Sequence, residues 1–207
     1  MIKAVIFDID GVLLDSKDAN CLFFQNLLES AGYRRPSTEE VSHVFHLTML
    51  DALRFLTGDT EENVRLLWER GHSFPFSREL LRVPKGAPTV LRELKTTYKI
   101  AIATGRIRRG IPTLCEMYGV PEKFFDVVVT FENFTKPKPD SESLLVAVQR
   151  LTIAPRDAVY IGDQETDRRA AASAGMHFLF YSADNDRIDP FSALPAAICA
   201  LDRQKAC

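Results

Sequence analysis

Cysteine is scarce in this 207-residue chain, and the four present, Cys21, Cys115, Cys199 and Cys207, show none of the paired spacings that close a disulfide framework or hold zinc. Free or buried thiols in a reducing compartment are expected. An excess of one charge is also missing. With 26 Lys and Arg against 28 Asp and Glu, the net charge of −2 leaves no basic footprint for nucleic acid. The short clusters Arg34-Arg35, Arg106 to Arg109 and Arg168-Arg169 read as solvated helix faces or local phosphate contacts. No apolar run approaches the length of a membrane span, and the first residues enter a strand pattern without the charged region, apolar segment and cleavage site of a secretory leader. These absences lead to the expectation of a soluble cytoplasmic protein, monomeric or homodimeric, with neither a nucleic-acid nor a membrane partner. Internal repeats and low-complexity tracts are absent too.

What is present is an alternation. Short apolar runs at Ala4 to Phe7, Ile100 to Ala103, Val127 to Val129, Ala158 to Ile161 and Phe178 to Phe180 are separated by helically spaced segments at Pro88 to Leu94, Ser143 to Leu151 and Thr166 to Ala174. That order predicts an α/β fold: a Rossmann-like parallel sheet with helices on both faces. In such a sheet ligands bind beyond the carboxyl ends of the strands. Asp8, Thr104 and Asp163 each follow an apolar run, and Lys136 lies in the loop after another, so four distant polar side chains are expected on one rim. Between Asp15 and about Pro84 the strand signal gives way to helices. Leu22, Phe23, Asn26, Leu27 and Ser30 trace one face before Gly32, Ser37 with Glu40 forms a capping box, Asp59 with Glu62 offers a weaker start, and Gly58 ends the helix of Leu50, Leu53 and Leu56. Residues 15–84 are therefore assigned to an inserted helical domain, and 1–14 with 85–207 to the sheet domain, Val83-Pro84-Lys85-Gly86 being the return linker. Pro190 to Leu201, with Phe191, Leu194, Ile198 and Leu201 at helical spacing, reads as a last covering helix.

The most informative stretch is Val5-Ile6-Phe7-Asp8-Ile9-Asp10-Gly11. Strand alternation puts Asp8 and Asp10 on one face, where two like charges repel unless a divalent cation or a shared proton offsets the repulsion. Hard oxygen ligands of this kind suit Mg²⁺. Gly11 then permits a tight turn. Thr104 and the amide of Gly105, placed at a helix start, offer a cradle of donors that suits a phosphoryl group, although Thr-Gly after a strand alone reads more readily as an ordinary helix-entry turn. Lys136 precedes a Pro-x-Pro stretch that keeps its loop out of helix. Gly162 lets the chain approach a metal beside Asp163, and Asp167 lies one helical turn further on.

Together with Ala103-Thr104-Gly105-Arg106, Lys136-Pro137-Lys138-Pro139-Asp140 and Ile161-Gly162-Asp163-Gln164-Glu165-Thr166-Asp167, that stretch resembles the four ordered motifs of the haloacid dehalogenase-like hydrolase superfamily, over Ile2 to about Gly175. The resemblance implies that Asp8 is the nucleophile, forming an aspartyl phosphate, and that Asp10 protonates the leaving group and later activates water. It implies Mg²⁺ held by the Asp8 carboxylate, the Asp10 backbone carbonyl and the Asp163 carboxylate, with Asp167 behind them orienting a metal water or Lys136. The helical insert then corresponds to the small cap that covers the active site. The span between Thr104 and Lys136 is too short for the larger cap type.

The insert and the continuation Gly11-Val12-Leu13-Leu14-Asp15-Ser16 look most like phosphoglycolate phosphatases and β-phosphoglucomutases. The activity implied is Mg²⁺-dependent hydrolysis of a small phosphorylated metabolite, phosphoglycolate-like or a sugar phosphate. A sugar phosphomutase and a catalytically idle binding or scaffold protein are the alternatives. Dehalogenation is disfavoured by the presence of Asp10, and phosphonate hydrolysis by a cap whose lysines are Lys17 and the hinge Lys85. Substrate choice is expected in the segment His43 to Thr48, which lacks the glycine and arginine often seen in the family, although His43 and His46 share a helical face. Arg106 and Arg108 flank the cradle and are expected to recognise a second anionic group.

Overall fold

The computed structural model describes residues 1–45, 47–183 and 191–203. The described chain divides into two compact units, Met1–Asp15 with Arg82–Cys207, and Ser16–Leu81.

The first unit is built on five strands: β1 (Ala4–Phe7), β2 (Lys99–Ala103), β3 (Val127–Val129), β4 (Ala158–Gly162) and β5 (His177–Phe180). All pair in parallel in the order β3-β2-β1-β4-β5, so the chain fills one side of β1 and then crosses to the other. Phe7 pairs with both Ile102 and Ile161, aligning the carboxyl ends of the three central strands. The strands are apolar on both faces, as a doubly covered sheet requires. On one face Ala4, Ile6, Ala101, Ala103 and Tyr160 pack under α7 (Glu142–Leu151) and α8 (Glu165–Ala174) through Leu144, Val148, Ala170 and Ala171. On the other, α5 (Ala87–Lys95) lies against β2 and against α9 (Leu194–Arg203), and the buried Phe191 stacks on Phe7 at 6.1 Å between ring centres. Leu194 and Ile198 of α9 are buried, so the expected covering helix is present from Phe191 onward, while Pro190 lies outside the described residues.

Each predicted strand is found to within a residue. The helix expected to start at Gly105 begins later: α6 (Ile111–Tyr118), whose Pro112 and β-branched start hide its period, is pinned by Ile111 and Leu114 in the core and by the Tyr118 hydroxyl, which donates to the Leu13 carbonyl at 2.7 Å.

The helical unit contains α1 (Lys17–Ser30), α2 (Thr38–His43), α3 (Met49–Thr57) and α4 (Glu61–Ser73). Its core gathers Cys21, Phe24, Leu27, Leu28, Val41, Leu53, Val64 and Leu67. The buried face of α1 is thus set by Cys21, Phe23, Phe24, Leu27 and Leu28 rather than by Asn26 and Ser30, because the aromatic pair commands more area than the polar positions. Ser37 and Glu40 do form the capping box, and Gly58 does end α3 in the left-handed conformation. The start of α4 is shifted: Thr60, not Asp59, is its cap, accepting the Asn63 amide, while Asp59 takes the Thr60 amide. The helical unit begins at Ser16 and ends at Leu81 rather than at 15 and 84. Asp15 and Arg82 exchange two antiparallel backbone hydrogen bonds, at 2.9 and 3.1 Å, which tie both to the sheet unit.

Cys21 and Cys115 are buried and Cys199 exposed, all three as free thiols, and Cys207 lies outside the described residues. No described helix is long and apolar enough to cross a membrane.

Candidate active site

Asp8 stands one residue beyond β1, and its amide donates to the Ile161 carbonyl of β4 at 3.0 Å. It is 8% exposed, and its Oδ1 accepts the Ile9 amide at 2.7 Å. Because β1 stops at Phe7 and the chain turns at Gly11 (φ +73°), strand alternation does not extend to Asp10. The Asp10 carboxylate meets Arg106 instead. Gly11 is required by space as well as by φ: a Cβ there would lie 2.1 Å from Asp163 Oδ2.

The opposite wall comes from β4 and the first turn of α8. Asp167 is 1% exposed, and its Oδ2 accepts the amides of Asp163 (3.2 Å) and Gln164 (3.1 Å), which satisfies donors at the helix start. Gly162 makes room for this carboxylate, since a Cβ at 162 would fall 2.5 Å from Asp167 Cβ. Its smallness serves the packing of Asp167. Asp163 is held through Oδ2 by the Gln164 side-chain amide at 2.7 Å.

The lysine of the site is Lys138, and the assignment of Lys136 is corrected. Lys136 is exposed, and its backbone amide is taken by Glu142 Oε2 at 2.7 Å, as Thr135's is at 3.1 Å. Glu142 thereby anchors the loop to the start of α7 and leaves the Lys136 side chain on the outer surface. Two residues on, between Pro137 and Pro139, Lys138 turns inward. Its Nζ donates to Asp8 Oδ2 (2.8 Å), Asp167 Oδ1 (2.7 Å) and the Tyr160 hydroxyl (2.7 Å). Three donors meet three acceptors. Tyr160 was not foreseen, because a tyrosine inside a continuous apolar strand reads as core. Its hydroxyl lies 3.2 Å from Asp167 Oδ1 and 3.3 Å from the Ala103 carbonyl, so it bridges the lysine to the sheet.

Burial raises the Asp8 carboxyl to about 6, with the Asp167 charge adding to it and Lys138 opposing. Burial, followed by the Asp8 charge, raises Asp163 to about 8. Burial acts to lower Lys138, yet Asp167 and Asp8 hold it well above the ordinary lysine value. The cluster is therefore richer in carboxylate than one ammonium balances. Oxygen atoms of Asp8, Asp163 and Asp167 lie within 4.8 Å of one another, a donor set that fits a hard divalent cation. Asp167 is the most heavily bonded of the three, its Oδ1 facing Lys138 and Tyr160 and its Oδ2 two amides, whereas each Asp8 oxygen takes one bond and Asp163 takes the Gln164 amide at Oδ2.

Beyond β2, Thr104 is 1% exposed and its amide donates to the Val129 carbonyl at 3.0 Å. Gly105 does not start a helix, contrary to expectation. The Thr104 hydroxyl accepts the Arg106 amide at 3.2 Å in a local turn, and α6 begins only at Ile111, where Pro112 suits the first turn. Gly105 sits exposed on that turn, and its amide finds no acceptor among the described residues. Arg106 grips Asp10 with two bonds, Nε to Oδ2 at 2.7 Å and an Nη to Oδ1 at 2.6 Å. Arg108 pairs with Glu122 instead and is exposed. In the helical unit, exposed His43 stacks on Phe55 with ring centres 6.3 Å apart, and His46 lies outside the described residues.

This rim, with its buried carboxylates at the ends of β1 and β4 around one lysine, is accompanied by a match of residues 5–181 to the family model described as haloacid dehalogenase-like hydrolase. The chain belongs to that family. Among relatives of this haloacid dehalogenase-like hydrolase, a phosphorylated carbohydrates phosphatase of Thermotoga maritima is 30% identical, the match covering 86% of this chain and 84% of the relative. The pyrophosphatase PpaX of Bacillus pumilus is 28% identical over 84% of this chain and 80% of its own. In structure, a HAD-superfamily hydrolase, subfamily IA, from Geobacter sulfurreducens superposes with a TM-score of 0.63 at 30% identity, covering 86% of this chain and 85% of that one.

Proposed function

We propose that this hydrolase is a Mg²⁺-dependent phosphatase that releases phosphate from a small phosphorylated metabolite through an aspartyl phosphate on Asp8. The observation that carries the reading is the three-way grip of Lys138 on Asp8, Asp167 and Tyr160, facing Asp163 across the ends of β1 and β4. The names of the relatives, a phosphorylated carbohydrates phosphatase and a pyrophosphatase, agree with phosphorylated substrates.

Asp8 Oδ attacks phosphorus in line with the ester oxygen, which departs with a proton from Asp10. Asp10 then takes a proton from water as the water attacks phosphorus, and the Asp8 carboxylate is restored with release of inorganic phosphate. Lys138 keeps one Asp8 oxygen fixed during both displacements and offsets charge on the equatorial oxygens. The Thr104 hydroxyl and Gly105 amide donate to those oxygens. Asp167 fixes Lys138 and the Asp163 loop without touching the substrate. The carboxylates of Asp8 and Asp163, with the Asp10 backbone carbonyl, would hold Mg²⁺, which when bound neutralises part of the phosphoryl charge.

Phosphate release from a panel of sugar phosphates, phosphoglycolate, nucleotides and pyrophosphate, with Mg²⁺ and with chelator, tests the proposal. Turnover that requires the metal and vanishes in Asp8→Asn is expected. Metal-independent turnover, or full activity in Asp8→Asn, would overturn it.

A further inference from the structure

The grip of Arg106 on Asp10 exceeds what the proposed chemistry needs. Both carboxylate oxygens of Asp10 are engaged by one guanidinium, at 2.6 and 2.7 Å, in the planar two-point geometry that arginine forms with carboxylates and phosphates. The Arg106 side chain is 17% exposed, whereas Asp10 is 36% exposed, so the fork is the more enclosed partner and the carboxylate the one open to solvent. Its backbone is fixed on both sides: the amide donates to the Thr104 hydroxyl at 3.2 Å, and the carbonyl accepts the Phe131 amide at 2.9 Å. The stem passes over Gly110, where an added Cβ would lie 3.7 Å from Arg106 Cδ. The fork is thus anchored to the same turn that carries the phosphoryl cradle.

We propose that Arg106 is a specificity-determining residue for substrates whose leaving group bears an anionic group, carboxylate or second phosphate, close to the ester oxygen. The inference rests on the function proposed above, in which Asp10 donates to that oxygen. A group that touches Asp10 then lies within one guanidinium of the first atoms of the leaving group. A leaving-group anion presents Arg106 with the same two-oxygen face that Asp10 presents in the structure. It takes the fork, and the Asp10 carboxylate, freed of the guanidinium, takes a proton from solvent and turns toward the ester oxygen as the acid. A neutral leaving group has nothing to exchange, so Asp10 remains clamped. Arg106 therefore couples recognition of the anion to release of the acid. Arg108, paired with Glu122, does not share this task, although the sequence places both arginines beside the cradle.

The test compares kcat/KM within two pairs, phosphoglycolate against 2-hydroxyethyl phosphate and pyrophosphate against methyl phosphate, in wild type, Arg106→Ala, Arg106→Lys, Arg108→Ala and Asp8→Asn. In Arg106→Ala the anionic-to-neutral ratio is expected to fall by about tenfold or more in at least one pair, the scale of a lost charge-assisted bond. The pair that moves identifies carboxylate or phosphate as the anion. Arg106→Lys, which keeps the charge but not the fork, should give an intermediate ratio and covers the case in which the alanine variant does not fold. Arg108→Ala should leave both ratios in place. Parallel loss on all four compounds in the Arg106 variants, with ratios within about twofold of wild type, would overturn the inference and reduce Arg106 to a positioning residue for Asp10. Absence of phosphate release by wild type, or its persistence in Asp8→Asn, would instead overturn the function and this inference with it.

Discussion

The rim of the sheet and the helical unit handle charge in opposite ways. In the helical unit Arg34 pairs with Glu40, Arg35 with Glu29, and Arg54 with Asp51 and Glu61, with side chains exposed or half-buried and close in sequence. Pairs of this kind, screened by solvent, add little, and the unit is held by its apolar core and helix caps. At the rim Lys138 reaches Asp8 across 130 positions of sequence, with side-chain exposures of 14% and 11%, in surroundings where burial has raised the carboxyls. Buried charge is costly to fold around. Among the described residues the buried carboxylates, Asp8 and Asp167, both lie at that edge, which marks it as the place for chemistry.

The contrast can be broken most severely at Asp8. Asp8→Asn is expected to lower kcat by about a thousandfold or more with the fold intact, since it removes the attacking oxygen's charge while keeping its shape, as steady-state kinetics and circular dichroism would show. Next are the two lysines. Lys138→Ala should cost about a hundredfold in kcat, and also about 3 kcal/mol of stability because Asp167 and Asp8 lose their buried partner. Lys136→Ala should change either quantity by less than about twofold or 0.5 kcal/mol, as exposed positions do. Reversal of that order would restore the sequence-based assignment. Gly162→Ala forces its Cβ onto Asp167 and should lower stability by about 1–3 kcal/mol in urea titration, with activity falling alongside. Tyr160→Phe removes one acceptor of Lys138 and should lower kcat by about three- to tenfold while KM holds. On the other side of the comparison, Ser37→Ala breaks the capping box of α2 and should cost about 1 kcal/mol, with kcat unaltered.

The sheet was legible because its five strands are short apolar runs separated by helices of clear period, and both faces are covered. The start of helix α6 was not, since eight residues with an early proline carry too few turns to show where the period begins. Among the site residues, Asp8, Thr104 and Asp163 were placed by a simple rule, one residue past the end of a strand. Lys138 escaped it. Lys136 and Lys138 occupy like positions before a proline, and the contacts that separate them, the Glu142 grip on the Lys136 amide and the bonds of Lys138 to Asp8, Asp167 and Tyr160, come from other parts of the chain. Tyr160 is invisible for a related reason: its ring satisfies the strand's apolar pattern, and its hydroxyl acquires a role only through a loop elsewhere in the chain. Arg106 was expected beside an anion and is found on one, although that anion is Asp10.

The backbone clasp between Asp15 and Arg82 has a consequence for what this architecture can become. To the sheet, everything from Ser16 to Leu81 is one loop whose ends are already joined. Closing a loop costs only about 0.6 kcal/mol more for each doubling of its length, so the strands bear nearly the same burden whether a short hairpin or a whole helical bundle is spliced between those two residues. The clasp is a docking point in the chain itself, at which one module can be exchanged for another while the chemistry at the strand ends is left undisturbed.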